Sequence, residues 1–201
     1  MGYKQEFQPL TKEDKITVVL YRVGIVLSTV IITDLAFHLW KTSSNSGTTF
    51  ISQSTDVLGY GLYIAVGLSV FFIHLYVGKF KEYLKSLYII SVGCLFVLLY
   101  AGRGSLSNVL AHTSYSPLLL LPLSGCLGFV TVKEAFCFRL FEGYLVAMIM
   151  PIYLLLVSSN ILTSRGVSYG LVLIAAMLVI FTLRKVFMPI AYDIGDKSAY
   201  K

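Results

Sequence analysis

VLGYGLYIAVGLSVFFIHLYVG, residues Val57 to Gly78, decides the fold: it carries no Lys, Arg, Asp or Glu across its length. A helix of ~17–25 apolar residues crosses the hydrocarbon core of a bilayer, and this stretch falls inside that range. Gly143–Leu162 is equally free of charge. Around these two surest segments stand four more apolar runs, Ile16–Phe37, Leu84–Ala101, Pro117–Val132 and Val167–Leu183. The predicted architecture is all-α: a polytopic transmembrane helix bundle of about six spans. Pro117–Val132 is the shortest run and contains Pro117 and Pro122, so a broken or partly re-entrant segment is an alternative there.

Composition agrees with this reading. The chain has 201 residues, 57% of them hydrophobic and 13% charged, with a mean hydropathy of +0.80. A soluble domain is about 25% charged, and a water-soluble core of this size cannot absorb such an apolar excess. The net charge of +6 would suggest nucleic acid, but no basic tract stands apart from the apolar runs. No nucleic-acid partner is expected.

The basic residues instead set topology, because Lys and Arg beside span ends are retained on the cytoplasmic side. With the N-terminus inside, the inner set is Lys4, Lys12, Lys15, Arg22, Lys79, Lys81, Lys85, Lys133, Arg139, Arg184, Lys185, Lys197 and Lys201. The outer set is Lys41, Arg103 and Arg165, so all 16 basic residues divide 13 to 3. An odd number of spans would put the C-terminal cluster on the wrong side. Both termini are therefore expected on the inner, cytosolic or stromal, face. The implied organisation is a polar arm over residues 1–15, a membrane domain over 16–187 and a polar tail over 188–201. The mixed charges of the arm do not resemble a cleavable secretory signal. Lys41–Asp56 and Gly102–Ser116, rich in Ser and Thr or in Ser and Gly, read as solvated outer loops. Gly166-x-x-x-Gly170 and Ser124-x-x-x-Gly128 are expected seams of close helix packing.

Ionisable residues at membrane depth are the functional candidates. Arg22 lies about 9 Å into the first span, where it either snorkels to the inner interface or meets a carboxylate on another helix. Asp34, about 18 Å further along the same helix, is too distant to pair with it. With His38 one turn later, Asp34 forms a polar face near the outer end. The densest cluster is Val132–Glu142, VKEAFCFRLFE. Read as one helix, Glu134, Phe138 and Glu142 share a stripe and Arg139 can pair with Glu142. This sharply amphipathic segment is expected either as an interfacial elbow or as a site in which Glu134 or Glu142 projects into the bundle against Arg22. The candidate polar cluster is thus Arg22, Lys133, Glu134, Arg139 and Glu142, with Asp34, His38 and Cys137 as lesser members. His74 reads as a histidine at a helix end. No metal-ligand spacing, phosphate-cradling glycine loop or nucleophile elbow is found, so neither a cofactor nor an enzymatic activity is expected. Cys94 and Cys126 fall in apolar runs and read as packing residues. The 14 tyrosines and 13 phenylalanines suit interfacial belts and helix packing.

Tyr3, Gln5, Phe7, Leu10-Thr11 and Asp14, followed by Tyr21-Arg22-x-Gly24, together with Lys133-Glu134-Ala135-Phe136-Cys137-Phe138 and Glu142, resemble domain-of-unknown-function family 2301. That family consists of uncharacterised integral membrane proteins, found especially in cyanobacteria. The resemblance is best over the first 25 residues and over 115–160, and its most specific piece is Lys-Glu-x-Phe-Cys. It implies a plasma or thylakoid membrane and brings no activity with it.

Two functions follow. One is a non-enzymatic scaffold or assembly partner whose contacts are the lipid bilayer and other membrane proteins; it predicts a filled bundle. The other is a small-solute or ion carrier with an inward-facing polar site; it predicts a cavity reaching Glu134 or Arg22. An intramembrane enzyme is a distant third.

Overall fold

The computed structural model describes residues 11–44, 53–75 and 78–194. Most of the N-terminal arm, part of the Lys41–Asp56 loop and the end of the C-terminal tail lie outside the described residues, as do Tyr3, Gln5, Phe7 and Leu10. Eight α-helices follow in order: α1 Lys12–Ser44, α2 Gln53–Phe72, α3 Gly78–Ala101, α4 Leu106–His112, α5 Leu121–Phe138, α6 Phe141–Ser158, α7 Ser164–Val186 and α8 Ala191–Ile194. A 3-10 turn, Ser116–Leu120, leads into α5. Six helical segments are long and apolar enough to cross a membrane, and no strand occurs among the described residues.

The fourth crossing is continuous rather than broken. Pro117 and Pro122 each occupy the first turn of their helix, where a missing N–H costs nothing and the fixed φ assists initiation. Pro151 alone lies inside a helix. The loop Gly102–Ser116 is not simply solvated, because it holds α4. Ser105 caps that helix by accepting from the Asn108 N–H, and Leu106 and Val109 are buried with Leu98 in a small apolar cluster.

Burial explains why the bundle needs a bilayer. On α1, Val18, Tyr21, Ile25, Ile32 and Ala36 face inward, while Ile16, Val19, Val23, Leu27, Val30 and Phe37 form an exposed apolar stripe on the other side. On α3 the inward side is reduced to Leu84, Ser91 and Leu98 at seven-residue intervals, a single narrow seam. Its remaining surface shows Ile89, Ile90, Phe96 and Val97. Exposed apolar area on this scale requires lipid as its solvent.

Helices approach closest where side chains vanish. A Cβ on Gly24 would collide with Ser69 Oγ and lie 2.7 Å from the Ala65 carbonyl, so α1 and α2 touch backbone to backbone there. Gly143 packs in the same way on the Thr131 carbonyl, joining α6 to α5. The expected Ser124-x-x-x-Gly128 seam abuts Ala147, and Gly170 abuts Tyr153. Gly166 meets only Leu162 and Thr163 at the start of its own helix, so the second expected seam is half realised. The start of α1 and the end of α7 reach the same end of the bundle, where Arg22 meets Asp193. We call this the terminal end, and the end carrying α4 the distal end.

Candidate functional site

Charge gathers at the terminal end in an alternating ladder. Lys133 Nζ and the Tyr21 hydroxyl both donate to Glu134 Oε1 at 2.7 Å. Lys185 bridges Glu134 Oε2 and Asp193 Oδ1. Arg22 Nε closes the series on Asp193 Oδ2 at 2.7 Å. The Arg22 guanidinium then donates to the Met188 carbonyl at 2.7 Å and to those of Val186 and Pro189 at 3.2 Å each. The side chains of Glu134, Lys185 and Asp193 are 0–1% exposed, and those of Arg22 and Lys133 are 11% and 12% exposed. Aromatic rings wall the ladder in: Phe138 lies under Lys185 Nζ at 4.0 Å, and Tyr21 under Lys133 Nζ at 5.4 Å.

Three cations against two carboxylates leave one positive charge in excess. Removing one member of such a buried network strands the opposite charge, which costs about 3–5 kcal/mol. The arrangement is a latch: it folds residues 187–194 back under α7 and α1, with Asp193 and Ile194 buried.

This geometry changes several sequence expectations. Arg22 neither snorkels freely nor meets Glu134 or Glu142; its carboxylate is Asp193. Residues 188–194 are not a free polar tail. Val132–Glu142 is not one helix: Arg139, at φ 54°, ends α5 in the left-handed conformation and α6 restarts at Phe141. The stripe through Glu134, Phe138 and Glu142 is therefore broken. Arg139 has no carboxylate partner among the described residues, and Glu142 binds Arg184 at 2.6 Å on a more exposed surface. Cys137 is exposed beside the ladder. Asp34 and His38 pair at 3.7 Å on α1, about half exposed and far from the ladder. His74, between α2 and α3, contacts Thr17 Oγ1 at 3.3 Å, while its Nδ1 is buried without a hydrogen-bond partner among the described residues. Burial, then the charges of Lys81 and Lys133, hold its pKa below the ordinary 6.5.

Sequence reasoning missed Tyr21, Lys185 and Asp193. For Asp193 one signal was present: an arginine buried in the first span requires an acid, and few acids are placed to supply it.

The distal half of the bundle is hollow. A cavity of about 980 Å³ lies between α1, α2, α4, α5, α6 and α7, with Ile32, Val66, Leu127, Met150 and Ile174 at its deep end. Neither Glu134 nor Arg22 lines it. Below it Ile25, Val70, Val130, Val146, Leu178 and Phe181, each at most 1% exposed, form a packed floor above the ladder. The bundle is thus neither filled, as a scaffold predicts, nor open to the polar site, as an inward-facing carrier predicts.

Six apolar helices, a lipid-facing surface and a charge-latched interior define a multi-pass α-helical integral membrane protein. Within that class, residues 68–201 match the uncharacterized integral membrane proteins DUF2301, and the chain belongs to this family. The match contains the Lys133–Phe138 motif and most of the ladder, including Lys185 and Asp193, and it extends through residues 68–115, outside the two stretches where the resemblance is best. Tyr21 and Arg22 lie outside it. No curated protein and no solved structure matches the chain.

Proposed function

We propose that this protein is a non-enzymatic carrier in which the distal cavity is the substrate chamber and the ion ladder is the closed gate. The observation that supports it is the asymmetry of the bundle: about 980 Å³ of space on one side of a packed floor and a buried latch on the other. A half-open pocket of this size suits a bound small molecule, since ligand sites occupy about 300–1,000 Å³. The terminal end is assigned to the inner face, since among the described residues it carries Lys12, Lys15, Arg22, Lys79, Lys81, Lys85, Lys133, Arg139, Arg184 and Lys185 against Lys41, Arg103 and Arg165 at the other. The host membrane is plasma or thylakoid, following the sequence resemblance.

Two positions on one face of α5 test the gate. Ser124 lines the chamber, and Thr131, two turns below it, is buried beneath the floor. In a background without native thiols, Ser124→Cys should react with an impermeant maleimide from the distal side, and Thr131→Cys from neither side. Adding Asp193→Asn should open the latch, exposing Thr131→Cys from the terminal side and reducing labelling of Ser124→Cys. A latch variant that stays folded with both reactivities unchanged would show a fixed receptacle and exclude a carrier.

A further inference from the structure

The lining of the chamber identifies what it holds. We infer that it binds an uncharged amphiphile, with a long apolar body in the deep end and one small hydrogen-bonding head at the mouth; the inference rests on the chamber of the proposed carrier, though not on its gate. Among the described residues no Lys, Arg, Asp, Glu or His lines the cavity. The deep wall, typified by Leu127, Met150 and Ile174, is hydrocarbon. A charged group entering it would lose its hydration and meet no countercharge, and a sugar-like solute would leave most of its hydroxyls unbonded.

Polarity gathers at the mouth, through neutral groups near the helix ends; further in, the lining adds Ser124 and Tyr63, whose hydroxyl is also buried without a hydrogen-bond partner among the described residues. Ser43 Oγ is buried there with no hydrogen-bond partner among the described residues. Asn160 donates its amide to Ser114 Oγ at 2.9 Å, which fixes the carboxamide beside the opening. Thr55 adds another hydroxyl. These groups suit a hydroxyl, ester or carbonyl head; the carboxylate bonded to the rim, that of Asp56, does not line the cavity and accepts from the Ser107 N–H at 2.6 Å. The chemistry therefore excludes an ion or a charged solute as the cargo of this chamber, and it narrows the small-solute reading to neutral apolar molecules.

A photolabelling experiment on the full chain in nanodiscs tests this. The probe is a monoacylglycerol carrying a diazirine in its acyl chain, and the control is a lysophosphatidate with the same chain. The monoacylglycerol should label α5, α6 and α7 peptides of the chamber saturably, at least tenfold more than the lysophosphatidate. The background is Ser124→Cys without native thiols, and N-ethylmaleimide is added after folding, so that filling the chamber cannot disturb assembly. Blocking should abolish chamber labelling and leave labelling of the lipid-facing side of α3 unchanged. Competition by unlabelled monoacylglycerol but not by a long-chain isoprenoid alcohol would identify the bilayer's own neutral lipids as the source; stronger competition by the alcohol than by monoacylglycerol would identify a free apolar metabolite. Equal labelling by the charged probe, or labelling indifferent to the block, would overturn the inference. Saturable, blockable labelling in a protein whose gate positions never change reactivity would retain the ligand class and refute only the carrier.

Discussion

At the scale of single residues, Arg139 shows how a charged position can be conformational rather than electrostatic. It holds φ at 54°, a left-handed conformation that costs a non-glycine residue about 1 kcal/mol or more, and it does so where α5 must turn sharply into α6. Arg139→Gly should therefore raise the midpoint of thermal unfolding in detergent, by the equivalent of about 0.5–1 kcal/mol. Asp193 is the opposite case, valuable only for its charge. Asp193→Asn should destabilise the protein by about 3–5 kcal/mol, and in a double-mutant cycle with Arg22→Met the losses should fall clearly short of additive. Arg22 could be recognised from the sequence as needing a partner, but that partner stands 171 positions away. An acid in a short segment after Pro189 carries no periodic signal of burial. His74 supplies the pH dependence. The unfolded chain takes up its proton near 6.5, whereas the folded protein does so only at lower pH, so its contribution to stability is complete above 6.5 and is lost as the pH falls below it. The melting temperature should decline with acidification below 6.5, and His74→Gln should flatten that decline.

At the scale of elements, the six crossings were legible because bilayer thickness imposes a length and an apolarity that few other structures share. What hydropathy cannot register is the difference between an inward and a lipid-facing side, since both are apolar. On α1 the two stripes differ mainly in Tyr21, Ser28 and Thr29, small or hydrogen-bonded groups that face the interior. The short α4 escaped notice for another reason: its length is far below a span, and its serines suggested a loop. Ser105 as cap and Leu106, Val109 and Leu110 at helical spacing were its only signal. Close packing makes a firm prediction at this scale. Gly24→Leu must drive α1 from α2 against backbone atoms, and it should cost about 1–3 kcal/mol or prevent recovery of monodisperse protein by size exclusion. Gly93→Leu on α3, where a Cβ meets nothing within 4 Å, should be tolerated and serves as the control.

At the scale of the whole molecule, charge and space are segregated along one axis. The basic residues crowd the terminal end, and several of them are drawn into the ladder there. The distal half holds a cavity whose lining carries no charge among the described residues. That division was half visible in the sequence: the 13 to 3 split gave the axis. The cavity was not visible, because space inside a bundle depends on how helices tilt and cross. In the proposed carrier this cavity opens only toward the face opposite the terminal end. The most direct measurement is sided labelling of Ser124→Cys in sealed, oriented vesicles with the latch intact. An impermeant maleimide should modify it from the outer face alone, and prior filling of the chamber with monoacylglycerol should protect it. Modification from the terminal end would refute a gate closed by the ladder.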